Sequence, residues 1–160
     1  EKAGFPAPVP RQIEFARLRS TVLPLATLLT PNIPEAEKLA GMEISSEADM
    51  REAARRIQAL GPQNVLVKGG HAQGEARDIL LCGEDFHVFA SRRIPTKNTH
   101  GTGCTLSSAI AAYLARGEAL PEAVRKAKEY VTGAIEHAPG LGHGCGPTHH
   151  FFAFYEADCD

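Results

Sequence analysis

The sequence predicts an α/β layered domain, and three observations carry that expectation. Short apolar or β-branched runs alternate with helical patterns (LATLLT at 25–30, NVLVK at 64–68). Two segments, 78–82 and 86–94, flank Gly83-Glu84-Asp85 as a hairpin flanks its turn. Two amphipathic stretches, beginning near Gly103 and at Pro121, close the pattern. At 160 residues, the length fits one domain of about 150 residues. The composition of 43% apolar, 22% charged and 6% aromatic residues is that of a globular chain.

Each element has a local reason. Residues 1–12 hold three of the eleven prolines and no periodicity, so 1–20 reads as an arm or linker, with a short helical turn from Ile13 to Arg19. LATLLT ends in Thr30-Pro31-Asn32 and predicts a buried strand covered on both faces. Pro34 suits a first helical turn, Glu35 to Ala40 follow, and Gly41 ends that helix. Ser46 and Asp49 have the spacing of a capping box before Met50, Ala53, Ala54, Ile57 and Leu60, which recur at helical period until Gly61-Pro62. Asn64 to Lys68 predicts a second strand running into Gly69-Gly70-His71. After the hairpin, Leu106, Ala109, Ile110, Tyr113 and Leu114 form one helical stripe. Val124, Ala127, Val131, Ala134 and Ile135 form another, up to Pro139-Gly140.

Charge and cysteine usage narrow the function classes. Lys plus Arg number 17 and Asp plus Glu 19, a net charge of −2, which argues against a basic nucleic-acid-binding module. The longest uncharged apolar stretch, Val22 to Leu29, falls short of the roughly 20 residues of a membrane helix, so no membrane partner is expected. Cys82, Cys104, Cys145 and Cys159 form no C-x-x-C pair, and the expectation is a reduced, cytoplasmic chain without a signal peptide. The first residue is Glu1 rather than Met, consistent with processing or with a piece of a longer chain.

The chemistry concentrates in Asn98-Thr99-His100-Gly101-Thr102-Gly103-Cys104, a glycine-bearing loop that feeds a helix. A helix start offers unpaired N–H groups and about half a positive charge. Glycines let a phosphate approach that backbone closely. Such a loop binds a phosphoryl group and stabilises the charge that develops as it transfers. Cys104 falls in the first turn, where the dipole favours a thiolate that accepts a proton from an attacking hydroxyl. A plain helix start with a small apolar thiol fits the same spacing. Asn32-Ile33-Pro34-Glu35 places a carboxylate on a first helical turn, where it either holds Mg²⁺ or its waters or complements the helix dipole. Lys68 ends a strand beside a glycine turn, the position of a phosphate-neutralising lysine and equally of a solvated one. All three lie at the carboxyl edge of strands or just beyond it, where open α/β sheets bind ligands.

The string NTHGTGC at 98–104, with LTPNIPE at 29–35, VKGGH at 67–71, AKEYV at 127–131 and GLGHGCGP at 140–147, resembles the hydroxymethylpyrimidine/phosphomethylpyrimidine kinases of thiamin biosynthesis, members of the ribokinase-like superfamily. The resemblance runs from about Val22 to His150. It implies a ribokinase-like layered α/β/α sheet, with 21–160 forming the C-terminal, nucleotide-binding half of the kinase domain. By resemblance, Gly101, Thr102 and Gly103 form the anion hole and Cys104 is the base on the substrate hydroxyl. Asn32 and Glu35 place Mg²⁺ and phosphate, with Glu35 the metal-side residue. Lys68 meets the nucleotide phosphates, and Thr99 and Lys128 line the nucleotide. The implied cofactors are ATP and Mg²⁺, and the implied substrate is a small pyrimidine alcohol.

The family's N-terminal half, with the groups that read the pyrimidine, has no counterpart in residues 1–20. The alternative is therefore a non-catalytic nucleotide-binding fragment or partner module, completed by another segment or self-associating as a homo-oligomer. His143, Cys145, His149 and His150 lack the spacing of a closed zinc site. His71 and His100 read as hydrogen-bonding loop residues. Cys82 reads as a core thiol and Cys159 as a tail thiol. The aromatics at 151–155 are expected to dock the C-terminus or to cover an edge.

Overall fold

The computed structural model describes residues 17–69, 76–92, 94–96, 100–140, 144 and 146–155. Elements fall in the expected α/β order. A π-helical turn, Leu18–Val22, and a 3₁₀ turn, Leu23–Leu25, lead into α1 (Ile33–Ala40) and α2 (Glu47–Gln58). Three strands follow: β1 (Asn64–Val67), β2 (Ala76–Cys82) and β3 (Asp85–Ser91). Then come α3 (Thr102–Ala115), α4 (Leu120–Glu136) and a short α5 (Phe152–Tyr155). The strands form one sheet in the order β1-β2-β3. β1 and β2 are antiparallel with Asn64 opposite Cys82 and Val67 opposite Ile79. β2 and β3 are joined through Gly83-Glu84.

The chain divides into two compact units. One holds the residues up to Lys68 together with Ile79–Phe86, and the other holds Gly69–Asp78 and the residues from His87 onward. In the first unit, Val65, Val67, Ile79 and Leu81 share one sheet face and pack with Ala36, Met50, Ala54 and Ile57 of α1 and α2. Leu66 and Leu80, on alternate positions, are buried as well. This is why NVLV reads as continuous rather than alternating hydrophobicity. Both helices begin with reciprocal capping boxes, Asn32 with Glu35 and Ser46 with Asp49. In the second unit, α3 and α4 pack on one another, burying Leu106 and Ile110 against a helix whose own buried residues are Ala123, Val124, Ala127 and Ala134.

The expected buried strand at 25–30 is not one. Leu25 is 82% exposed, and the segment meets β1 only through isolated parallel bridges, Leu29 with Val65 and Asn32 with Lys68. The hydrogen bonds explain the gap. Leu29 N–H donates to the Asn64 carbonyl, Leu66 N–H to the Leu29 carbonyl, and Lys68 N–H to the Pro31 carbonyl. The intervening rung requires an N–H on Pro31, and proline has none. One missing donor splits the ladder. β3 likewise stops at Ser91 rather than Ile94, ahead of Pro95. Cys82 is half-buried at the end of β2, not a core thiol. Gly61 takes φ 127°, and a Cβ there would sit 2.7 Å from Pro24 Cα, so this turn accepts only glycine. The arm at 1–16, His71, Asn98, Thr99, His143, Cys145 and Cys159 lie outside the described residues. No helix among the described residues is long and apolar enough to cross a membrane.

Candidate active site

In the first unit, Asn32, Glu35 and Lys68 come together at the carboxyl end of β1. The Asn32–Lys68 bridge sets the two backbones side by side. Asn32 Oδ1 accepts the Glu35 N–H at 2.9 Å, and Glu35 Oε2 accepts the Asn32 N–H at 2.9 Å. The N-x-x-E spacing is thus, first of all, a closed cap on α1, with Pro34 in its first turn. Glu35 stays exposed, and its second carboxylate oxygen is not used by the cap. The Lys68 ammonium is paired with no carboxylate among the described residues.

In the second unit, α3 begins on Gly101, whose backbone is left-handed at φ 83°, and no side chain caps the helix. The Gly101 carbonyl is taken by the Thr105 N–H and hydroxyl, both at 2.9 Å. The first-turn amides of a helix have no carbonyl to meet inside it, and in α3 these include those of Gly103 and Cys104. α1 and α2 each close one of theirs, with the Asn32 amide oxygen and the Ser46 hydroxyl, whereas here a residue without a side chain stands at the cap. An anion approaching that end meets backbone donors and the positive end of the dipole. Cys104, the third residue of α3, is exposed at the edge of this turn with a free thiol. His100 pairs through its backbone, donating its N–H to the Gly146 carbonyl at 3.3 Å and bridging Pro147, so the glycine loop after α4 lies beside the start of α3.

Lys128 is placed differently from the other candidates. Its ammonium pairs with Asp78, and the two side chains are only 13% and 7% exposed. The second Asp78 oxygen accepts the Gly69 N–H at 2.9 Å. Sequence reasoning had no role for Asp78. Its signal was an acidic residue at the head of the apolar run Ile79-Leu80-Leu81, a place where a charge is buried only if paired. Among the aromatics at 151–155, Phe152 stacks on His137 with ring centroids 5.1 Å apart, and Phe151 and Phe154 are exposed. His149 Nδ1 accepts the Phe151 N–H at 3.2 Å.

NTHGTGC led us to expect a helix start with Cys104 in its first turn, and α3 has it, opening on a left-handed Gly101 with no side-chain cap. The model of the phosphomethylpyrimidine kinase family matches residues 7–149. The chain belongs to the phosphomethylpyrimidine kinase family. It is 58% identical over 137 residues to the thiamine biosynthesis bifunctional protein of Geobacter sulfurreducens, covering 85% of this chain and 28% of that protein. It is 48% identical over 139 residues to the hydroxymethylpyrimidine/phosphomethylpyrimidine kinase of Streptomyces coelicolor, covering 87% of this chain and 52% of that one.

Among solved structures, the Bacillus subtilis pyridoxal kinase in complex with ADP matches 93% of this chain and 58% of its own, with a TM-score of 0.82 and 41% identity. The Clostridium difficile phosphomethylpyrimidine kinase matches 84% of this chain and 53% of its own, with a TM-score of 0.66 and 44% identity. These matches place this phosphomethylpyrimidine kinase family member in the ribokinase-like α/β fold class. The chain spans about half the length of the single-function kinases it matches.

Proposed function

We propose that this chain is the nucleotide-binding portion of an ATP-dependent kinase that phosphorylates hydroxymethylpyrimidine and its monophosphate. The observation that carries the reading is the start of α3: a left-handed Gly101 in place of a side-chain cap, with an exposed Cys104 in the first turn. Membership of a kinase family, together with the ADP complex of a similar pyridoxal kinase, supports the choice of nucleotide.

The roles follow from the chemistry of each group. The amides of Thr102, Gly103 and Cys104 receive the phosphoryl oxygens in transit, where preorganised donors lower the barrier most. Cys104 takes the proton of the attacking hydroxyl. Lys68 offsets phosphate charge, and Lys128 and Thr99 line the nucleotide. Mg²⁺ supplies neutralisation of the bound phosphates. Among the described residues no three His, Cys, Asp or Glu side chains converge on a metal position. Glu35, with one carboxylate oxygen left over by the cap, would hold that ion or its waters.

A second reading keeps the nucleotide site but not turnover. The half-length match favours it, because the residues that hold the pyrimidine alcohol then belong to a further segment, a partner chain or a second copy. One experiment separates the two. ADP binding is measured by calorimetry on the 160-residue chain. ATP-dependent phosphorylation is followed with hydroxymethylpyrimidine phosphate and with pyridoxal as acceptors. Binding with transfer establishes the kinase, and binding without transfer establishes the fragment. Absence of binding overturns both.

A further inference from the structure

We propose that Asp78 is a positioning residue for nucleotide phosphates, acting through Lys128 and the backbone amide of Gly69. This rests on the nucleotide-binding reading above. Both oxygens of the Asp78 carboxylate are committed, one to the Lys128 ammonium on α4 and the other to the Gly69 N–H just past the end of β1. Asp78 itself sits on β2, so one buried carboxylate joins that strand, α4 and the backbone of Gly69. Gly69 is buried, and it follows Lys68 directly at the carboxyl edge of the sheet, where α/β folds bind their ligands.

A lysine this shielded needs a paired acid to offset the cost of its burial. A glycine turn at a strand end is fixed only where its amide has an acceptor. Asp78 provides both at once, holding the Lys128 ammonium and the Gly69 amide on one carboxylate. The pair as a whole is neutral, so Asp78 acts by fixing Lys128 and the Gly69 amide as hydrogen-bond donors rather than by adding charge.

The test compares affinities for ADP and for adenosine, which share a base and ribose and differ in the phosphates. Calorimetry is run on the 160-residue chain with Asp78→Asn, Asp78→Ala, Lys128→Met, Lys128→Arg and the Asp78→Asn/Lys128→Met pair. Asn keeps an acceptor for the Gly69 amide and keeps the size of the side chain, so it guards against the loss of folding that Ala risks. Thermal melts confirm that each variant is folded at the titration temperature.

The expected result is that Asp78→Asn weakens ADP by about tenfold, equivalent to about 1.4 kcal/mol, while adenosine is unchanged. Lys128→Met should match it, the double variant should be no worse than either single change, and Lys128→Arg should restore most of the loss. Equal weakening of both ligands, or of neither, overturns the inference and leaves Asp78 a purely structural acid. Tighter ADP binding by Asp78→Asn also overturns it, because Asp78 would then be competing with phosphate for Lys128. If the unaltered chain binds no ADP, the nucleotide reading fails first and this inference falls with it. If it binds ADP and Asp78→Asn binds ADP equally well, only this inference fails.

Discussion

Asn32 and Glu35 hold each other's backbone amides at 2.9 Å in both directions, so the N-x-x-E spacing is a reciprocal helix cap before it is anything else. A capping box uses one oxygen of each side chain and leaves the second Glu35 oxygen for other work. Structure and chemistry share two residues here, and the two demands can be pulled apart by substitution.

Glu35→Gln keeps the cap, because Gln accepts the same amide. Its melting temperature should stay within about 2 °C of the unaltered chain, a shift expected for less than about 0.5 kcal/mol. The Mg²⁺ dependence of nucleotide binding should weaken. Asn32→Ala removes the cap acceptor and should cost about 1 kcal/mol in urea unfolding. Equal thermal losses for both variants would show that Glu35 serves α1 alone.

Cys104→Ala leaves α3 intact, since alanine is the best helix former. In an assembly that transfers phosphate, turnover should fall by about 10²-fold or more, the typical contribution of a general base. ADP affinity should hold within about twofold, a change of only about 0.4 kcal/mol. Parallel loss of both, or of neither, would remove the thiol from the proton transfer.

Gly101→Ala tests the left-handed cap. A Cβ there meets nothing within 4 Å, so any cost comes from φ 83° rather than from a clash. The expected destabilisation is about 1–2 kcal/mol, measured by urea unfolding, with a matching loss of ADP affinity as the first turn of α3 shifts. Full stability in this variant would mean that the backbone relaxes without strain.

The pH dependence has a clear sign at Asp49. Hydroxyls of Ser46 and Ser45 donate to its carboxylate and hold its pKa below the ordinary 3.8. A folded-state pKa below the unfolded value adds stability above the unfolded pKa, and that stability is lost as pH falls through the lower folded value. Melting curves taken from pH 5 downward should therefore decline less steeply below about pH 4 for Asp49→Asn than for the unaltered chain. Identical slopes would remove the Ser46–Asp49 cap from acid sensitivity.

Much of this was legible in the residues. The capping box at Ser46, the glycine-bearing start of α3, the apolar stripes of α3 and α4, and the hairpin at Gly83 are local signals, and local geometry honours them, whereas Asn32 and Glu35 read as a first-turn carboxylate and prove to be a second capping box. The failures have one cause each. LATLLT has strand composition, but its pairing depends on an amide that Pro31 lacks, so hydrophobicity overstated the strand. Lys128 lies 50 residues from Asp78 along the chain, and no periodicity connects a strand-head acid to a helix lysine. A motif read from one stretch of sequence marked the start of α3, whereas the buried ion pair emerged only from tertiary contact.

The central claim is that the opening amides of α3 receive phosphate. The direct measurement is a ¹H–¹⁵N correlation titration of the labelled 160-residue chain with a non-hydrolysable ATP analogue. The expected result is that the Gly103 and Cys104 amides shift most in α3, saturating together with that of Gly69. Saturable binding that leaves residues 102–104 unmoved would contradict it.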